Sequence, residues 1–496
     1  MELNKKLSVL SMAVCLILFS CKNITLQEKA DVSVNIDPKT IVSEGYVGNG
    51  VQWDPYALDY GSGPVEISDA DWAKLYSRLD FMRPAFIRVM MNTRDCVKDG
   101  KLYPEIGLGR MSHILDYCQS RNVTVALGDW GGALVDAKSD FINFPLLDKA
   151  VEFVDYLVNE KGYDCIKYYN LINEPNGFWS VTEGNQNLWI GAAVYFKDCM
   201  KACGLLDKVT IIGPDVAIWT ADYVDWIDRT KDELQEAVGL YDIHTYPSKI
   251  TVNSGAYSEI LKAYKEKVPS SHKIVMGEIG LKFVEKADSS YLTENNRRIE
   301  AYPNASRTDS QMFVYDYMYG TDMADVLFQT VNAGYSGCVA WMLDDAMHYN
   351  ESKDKLKIWG FWNILGEEIF GKEQENVRPW FYAWSLMCRY IPAGSAVYKV
   401  SVAGDSGVRA IASVCGGKRT VALLNVSEES KTVYIKSSDL GKLRNTARFV
   451  YGDGLFSVEG DCNMLPDAVG VKFNSDKGEL VTLAPESIYL ITELDN

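Results

Sequence analysis

The sequence predicts an α/β fold, a (β/α)8 TIM barrel followed by a small C-terminal all-β sandwich. Eight short apolar runs begin near residues 48, 86, 123, 167, 209, 240, 273 and 337, and stretches of helical periodicity separate them. Most intervals are roughly 30 to 45 residues, the length that a strand, a helix and two loops require. Short alternating runs replace this pattern after about residue 393, which indicates a sandwich.

One unit shows how each element is assigned. Ser68 can cap a helix whose apolar residues follow at helical spacing, namely Trp72, Leu75, Tyr76 and Leu79. Pro84 ends this pattern, and Phe86–Asn92 is then a buried strand that ends in polar residues. The other predicted barrel strands are Gly48–Trp53, Val123–Leu127, Tyr168–Ile172, Val209–Ile212, Leu240–Ile243, Lys273–Met276 and Gly337–Met342.

The last part of the barrel and the second domain follow from composition. The polar stretch Lys286–Ser310 lies in the longest interval and is interpreted as an elaborated loop, and the aromatic-rich Pro379–Ile391 as the closing helix. Asp31–Ile36 alternates like the C-terminal runs and is a candidate for a further sandwich strand. The C-terminal strands are predicted at Val408–Ala412, Thr420–Asn425, Thr432–Ile435, Ala447–Tyr451, Leu480–Leu483 and Ile488–Thr492.

The N-terminus predicts export. Lys5 and Lys6 precede an apolar run, Leu7–Phe19, that is too short to span a bilayer. The following Leu18-Phe19-Ser20-Cys21 resembles a bacterial lipobox, so Cys21 is predicted to carry lipid and to anchor the protein to a bacterial membrane, at the outer membrane or cell surface. The alternative is a plain secretory signal and a periplasmic or secreted protein. The predicted parts are a signal peptide (1–20), a tether (21–32), the barrel (33–393) and the β-sandwich (394–496).

Composition narrows the function classes. The chain is 47% hydrophobic and 24% charged, which is ordinary for a folded protein. A net charge of −17 argues against a nucleic-acid partner, which favours a basic face. The four histidines, at 113, 244, 272 and 348, fit no metal-binding spacing, and the chain has no phosphate-binding glycine loop. The sequence therefore predicts neither a metal nor a cofactor, and it leaves the oligomeric state open.

Two glutamates end predicted barrel strands, where barrel enzymes place their active sites. Glu174 follows the fourth strand in Asn173-Glu174-Pro175-Asn176, and Glu278 ends the seventh in Gly277-Glu278-Ile279-Gly280. A carboxylate is rarely placed at such a position without a partner or a task, because desolvation is costly. Three βα units separate the two residues, so we expect them to face each other across the barrel mouth. Glycoside hydrolysis requires such a pair.

At these residues the chain resembles the clan A glycoside hydrolases, and most closely families 30, 39 and 5. The resemblance rests on Asn-Glu-Pro after the fourth strand and Glu at the end of the seventh. It implies that Glu174 is the acid/base, that Glu278 is the nucleophile, and that Asn173 binds the sugar 2-hydroxyl. It covers nearly all of the chain after the predicted signal peptide.

Four further positions match the clan. His244 and Tyr246 match a His-x-Tyr on the sixth strand, where the aromatic residue steadies the nucleophile. Arg88 matches an arginine of the second strand with a similar task, and Trp341 matches a tryptophan of the eighth strand that forms the floor of the sugar subsite. Each of the four could instead pack or pair inside the barrel.

Other strand-end residues are weaker candidates. Trp53 and Trp130 could stack on a sugar ring, as could Trp179, or they could simply pack in the core. Asp129 could accept a hydrogen bond from a sugar hydroxyl or cap its own loop.

The predicted function is a retaining glycoside hydrolase that cleaves β-linked glycosides of oligo- or polysaccharides by double displacement. Candidate substrates are β-glucans, β-mannans and xylans. A surface glycan-binding lipoprotein on a non-catalytic barrel is one alternative, and a transglycosylase is another. The sequence does not decide between attack at chain ends and attack within chains.

Overall fold

The computed structural model describes residues 26–283, 286–404 and 407–495. Eight parallel strands form a closed barrel, as predicted. They are β1 Gly50–Gln52, β2 Phe86–Met91, β3 Thr124–Asp129, β4 Ile166–Asn170, β5 Thr210–Ile218, β6 Val238–Thr245, β7 Ile274–Ile279 and β8 Cys338–Ala340.

The predicted helices occupy the intervals between these strands. Ser68 caps the first helix as expected, since its Oγ accepts a hydrogen bond from the backbone N–H of Asp71 at 3.2 Å. The polar stretch interpreted as a loop after β7 contains the helix Ser289–Ala301. The α-helices are Asp69–Met82, Pro104–Arg121, Phe144–Asp155, Gln186–Ala202, Val224–Leu234, Lys249–Asn253, Ala256–Lys265, Ser289–Ala301, Tyr317–Asn332 and Trp380–Tyr390.

The barrel interior changes from apolar to polar along the strands. Its lower layer is a hydrophobic cluster with members from seven of the strands and from the residues before β1, namely Val47, Phe86, Ala126, Tyr168, Ile212, Leu240, Val275 and Val339. Side chains two residues apart share a face of a strand. The layer above therefore holds Arg88 over Phe86, and Asp242 and then His244 over Leu240. These buried polar groups lie at the C-terminal mouth.

The second domain is a nine-stranded sheet that includes the beginning of the described chain. The strand Val32–Ser43 pairs antiparallel with Ala396–Gly404 and parallel with Lys431–Ser437. The stretch Asp31–Ile36 thus contributes a strand to this domain, as considered from the sequence, so Val32–Ser43 belongs to the sandwich and not to the tether and barrel whose predicted boundary lies at residues 32 and 33. The sheet order is Ala468–Val469, Ala447–Tyr451, Ser487–Thr492, Lys418–Asn425, Val408–Cys415, Ala396–Gly404, Val32–Ser43, Lys431–Ser437 and Glu479–Leu483.

The two ends of this sheet pack on one another. Strands near both ends contribute to one hydrophobic cluster, which holds Val433 and Leu483 from one end and Leu423 and Ile491 from the other. The sheet therefore folds into the two layers of the predicted sandwich. Its outer face joins the barrel core, where Arg409 pairs with the buried Asp325 at 2.9 Å.

The remaining strands are short pairs in loops and cover Asp59–Tyr60, Gly63–Pro64, Val97–Lys98, Lys101–Leu102, Val135–Asp136, Phe141–Ile142, Tyr349–Asn350, Ser352–Leu356, Val458–Glu459 and Asn463–Met464. Within the described ranges no helix is both long and apolar enough to cross a membrane. The predicted signal peptide and Cys21 lie outside the described residues.

Candidate active site

The two predicted glutamates meet at the mouth of the barrel. Glu174 lies in the turn after β4 and Glu278 near the end of β7, and both are buried. A carboxylate oxygen of each lies within 4.8 Å of the other and of a ring nitrogen of His244. A local irregularity in the β6–β7 pairing puts His244 opposite Glu278. Such an irregularity re-aims side chains, and here it turns Glu278 into the barrel beside Gly277.

Glu278 is surrounded by hydrogen-bond donors. Arg88 donates from Nη1 to Oε2 at 2.9 Å, and the Tyr246 hydroxyl donates to Oε1. The residue is only 5% exposed. Burial raises the pKa of its carboxyl, while the positive charges of His244 and Arg88 oppose that rise. These donors orient both oxygens and favour the ionised form.

Glu174 has a different environment. Its Oε2 accepts a hydrogen bond from the indole Nε1 of Trp179 at 2.6 Å, and its Oε1 lies 3.3 Å from Nδ1 of His244. Its backbone has a left-handed φ of 45°, and its N–H donates to Asp215 at 3.2 Å. The turn thus holds Glu174 from the backbone side while an aromatic side chain orients the carboxyl.

His244 is buried between the carboxylates. Its Nε2 lies 2.8 Å from Oδ1 of Asp215, and its Nδ1 lies 3.8 Å from Oε2 of Glu278. Burial opposes a charge on the ring, but Asp215 and Glu278 outweigh it and raise the pKa of His244 to about 10. The imidazole is therefore a cation at neutral pH.

Arg88 links the nucleophile candidate to the sugar-binding candidate. Besides Glu278, it donates to Oδ1 of Asn173 at 2.8 Å, to Oε1 of Gln52 at 2.5 Å and to Asp215 at 3.0 Å. Because the side-chain oxygen Oδ1 of Asn173 accepts from Arg88, the side-chain nitrogen Nδ2 points away from Arg88. Within the described ranges that amide nitrogen donates no hydrogen bond, so it is available to a ligand.

Asp215 belongs to this site but is not among the predicted residues. The predicted fifth strand ends at Ile212, whereas β5 continues through Gly213 and Pro214 to Ile218. Asp215 is the extra residue of an irregularity in the β5–β6 pairing, with a φ of 62°. Arg88 and His244 lower its pKa despite complete burial. Asp215 lies inside the extended strand rather than at its end, so a rule that considers only strand ends does not find it.

A second missed carboxyl lies behind Asp215. Asp242 accepts the backbone N–H of Asp215 at 3.0 Å, and burial together with the Asp215 charge raises its pKa well above the ordinary value. A Cβ on Gly277 would lie 2.6 Å from its Oδ2. The glycine before Glu278 therefore makes room for Asp242, a reason the sequence alone did not reveal.

The tryptophans of the third and eighth strand ends adjoin one another. Trp341 stacks on His348 with ring centroids 5.5 Å apart, and Trp130 meets both rings edge-on. His348 is held by Asp54 at 2.8 Å. Trp130 and His348 line a cavity of about 590 Å³ between the loops that follow β1, β2, β3 and β8. A cavity of this size can hold a sugar unit.

Two groups of carboxylate oxygens and histidine nitrogens lie close enough together to bind a metal ion. Glu174, His244 and Glu278 form one group, and Asp215, Asp242 and His244 form another. The guanidinium of Arg88 lies 2.9 Å from Glu278 and 3.0 Å from Asp215. The positive charge that a metal ion would bring to these carboxylates is thus already supplied by a side chain, and we assign no metal site.

No protein-family profile matches the sequence, and no curated protein matches it. Solved structures do match. A family 30 endoxylanase from Clostridium papyrosolvens C71 shares 11% identity at a TM-score of 0.61, over 93% of this chain and 99% of that one. A family 39 β-xylosidase from Caulobacter crescentus shares 12% identity at a TM-score of 0.57, over 93% of this chain and 99% of that one. A conserved exported protein from Bacteroides fragilis shares 10% identity at a TM-score of 0.66, over 93% of this chain and 100% of that one.

The fold is that of glycoside hydrolase families 30 and 39. The resemblance to these clan A families is confirmed at this level. At such low identity the likeness concerns the fold alone, and the roles of single residues rest on the geometry of this site.

Two predicted sugar contacts are corrected by the structure. Trp53 is completely buried, packs against Trp72 and Tyr117, and cannot touch a substrate. Asp129 is also completely buried, and its two oxygens accept the backbone N–H groups of Thr93 and Gly131, each at 2.7 Å. Of its two proposed roles, loop capping is the one its contacts support.

Proposed function

We propose that the protein is a retaining glycoside hydrolase that acts on β-linked sugars. The observation that carries this proposal is the close approach of the two carboxyl groups, since one oxygen of Glu174 lies within 4.8 Å of one oxygen of Glu278. Retaining enzymes hold their carboxyl groups about 5 to 5.5 Å apart, whereas inverting enzymes need about 6.5 to 9.5 Å to admit a water molecule. This close approach supports the retaining arrangement over the inverting one.

The contacts of Glu278 support its role as nucleophile. In the first step one of its oxygens forms a bond to the anomeric carbon while the bond from that carbon to the leaving oxygen breaks. Arg88 and Tyr246 donate to Glu278, so the attacking carboxylate is oriented before substrate arrives. His244, as a nearby cation, further stabilises the negative charge.

The contacts of Glu174 support its role as acid and then base. In the first step it gives a proton to the leaving oxygen, and in the second it takes a proton from the water that attacks the anomeric carbon and releases Glu278. The Trp179 N–H orients Oε2, and a donor to that oxygen stabilises the ionised form that accepts the proton. Asn173, with its amide nitrogen unengaged, is proposed to donate to the sugar 2-hydroxyl.

The glycone and the cellular location are proposed from the relatives and the leader. The similar structures include an endoxylanase and a β-xylosidase, so xylans and β-xylosides head the candidate substrates, followed by β-glucans and β-mannans. One similar structure is of an exported protein. With the lipobox-like sequence around Cys21, this supports export and a lipid anchor, with the barrel and the sandwich as the exported domains.

The test has two parts. A panel of aryl β-glycosides and polysaccharides identifies the glycone, and proton NMR then follows the first-formed product of the best substrate. We expect the β-anomer to appear first and to mutarotate later. An α-anomer as the first product would contradict the retaining mechanism. Tight oligosaccharide binding with no hydrolysis on any substrate would show a glycan-binding protein instead.

A further inference from the structure

Three aromatic side chains lie in the open beside Glu174. Phe178, Trp179 and Trp219 are 83%, 48% and 42% exposed, unusually high values for such large apolar rings. The Phe178 and Trp179 rings meet edge-on at 4.9 Å, and Trp179 and Trp219 meet edge-on at 5.9 Å. We refer to these three residues as the aromatic platform. Contiguous exposed apolar surface of this kind marks a binding site.

The platform is held rigidly by the loops that follow β4 and β5. The Asn176 side chain exchanges two hydrogen bonds with the backbone of Ala217, at 2.7 and 2.8 Å, and so ties the Trp179 loop to the strand that leads to Trp219. A Cβ on Gly177 would lie 2.3 Å from the Trp179 ring, which therefore rests directly on the backbone. A platform held this way binds a ligand with little ordering cost.

The ring faces of the platform are not covered by charged groups. Lys282 lies 4.5 Å from the Tyr246 ring centroid and 5.6 Å from that of Trp359, and Lys357 lies 5.6 Å from that of Trp341. Among the described residues no cation lies over a platform ring. Uncovered aromatic faces are free to stack on the C–H face of a pyranose ring.

The position of the platform selects its occupant. Trp179 donates to Glu174 at 2.6 Å, and Glu174 is the group proposed to protonate the leaving oxygen. The donors to Glu278 are Arg88 and Tyr246, which lie on other strands. The cavity lined by Trp130 and His348 belongs to the loops after β1, β2, β3 and β8, away from the loops after β4 and β5. The platform therefore adjoins the leaving-group side of the scissile bond.

We propose that the aromatic platform is the leaving-group subsite and that it binds the pyranose ring of a leaving sugar by stacking. This inference rests on the proposed function and deepens it: the natural substrate is a β-linked oligo- or polysaccharide with a sugar on each side of the cleaved bond. A substrate with a small leaving group gains nothing from the platform.

The test compares two substrates of the same glycone, an oligosaccharide and a glycosyl fluoride, whose leaving group has no ring. Trp219→Ala removes one platform ring that does not touch either glutamate. We expect kcat/KM for the oligosaccharide to fall about tenfold and that for the fluoride to change less than about twofold. Phe141→Ala, which removes an exposed aromatic ring of the loop after β3, is the matched control and should lower neither.

Equal losses on both substrates, or no loss on either, would overturn the platform assignment while leaving the hydrolase intact. Tryptophan fluorescence titration with xylo- and cello-oligosaccharides provides a second measurement. If the wild type hydrolyses nothing but binds them, and Trp219→Ala weakens that binding, the platform stands as a sugar site and the proposed reaction fails. If Trp219→Ala binds these sugars as tightly as the wild type, the platform is not a sugar site.

Discussion

The two glutamates of the site differ in what surrounds them. Glu278 lies within a strand among charged groups that other strands supply, and Arg88, His244 and Asp215 form one buried network around it. Glu174 lies in a turn after a strand; one of its carboxyl oxygens also lies 3.3 Å from His244, but the other accepts from the indole of an exposed tryptophan. Two chemically identical side chains thus have different environments, and this difference is the basis for proposing different roles for them.

The largest expected effect comes from replacing each glutamate in turn, which distinguishes the roles of the two carboxyl groups. Glu278→Gln should lower kcat by about 10⁴-fold or more on every substrate, because no covalent intermediate can form. Glu174→Gln should lower it about 10² to 10⁴-fold on sugars that need a proton, and much less on dinitrophenyl glycosides. Steady-state kinetics on both substrate types measures this. If both variants lost activity equally on the dinitrophenyl substrate, the roles would be misassigned.

The next effect concerns the charged network on the Glu278 side. Arg88→Met should lower kcat about 10² to 10³-fold and cost roughly 3 to 5 kcal/mol in the free energy of unfolding, because Glu278 and Asp215 lose one of their two neighbouring cations and its hydrogen bonds. Arg409→Met, which breaks the buried pair with Asp325 at the domain interface, is the control. It should also destabilise the protein while kcat stays near the wild-type value. Urea unfolding and kinetics at saturating substrate measure the two quantities.

A smaller effect contrasts one hydrogen bond on each side. Tyr246→Phe removes a donor to Glu278 and should slow all substrates roughly 10 to 100-fold, which corresponds to a hydrogen bond to a charged group. Trp179→Phe removes the donor to Glu174 and should slow only substrates with poor leaving groups. If both variants slowed a dinitrophenyl glycoside to the same extent, the different roles proposed for Glu278 and Glu174 would be contradicted.

The smallest expected effect comes from the loss of the His244 charge as pH rises. The folded-state pKa of His244 is raised to about 10 from 6.5, so the stability this charge contributes is complete below about pH 6.5 and is lost as pH rises through 10. We expect the free energy of unfolding to fall across this range. His244→Gln should lack that part of the slope. If the free energy of unfolding of the variant fell with the same slope at alkaline pH, the slope would come from other groups, such as tyrosines.

Much of the fold could be predicted because burial leaves a pattern in the chain. All eight barrel strands are apolar runs, and the strand ends carry the polar residues that form the mouth. The failures have local causes. Pro214 resembles a strand terminator, yet β5 runs through it, so Asp215 was missed. Trp53 follows a strand end like Trp130, but its ring turns outward into the helices and Trp130 stays at the cavity. Sequence position does not give that direction.

The sequence by itself determined the barrel, the β-domain and the identity of Glu174 and Glu278 as a pair, because periodicity and strand-end chemistry are local properties. Only the tertiary structure decided that one oxygen of each lies within 4.8 Å of the other, that Asp215 and Arg88 complete the charged network, and that the aromatic platform adjoins Glu174. These depend on irregularities in strand pairing and on loops that approach one another in space. Distances between residues remote in the chain are set by packing.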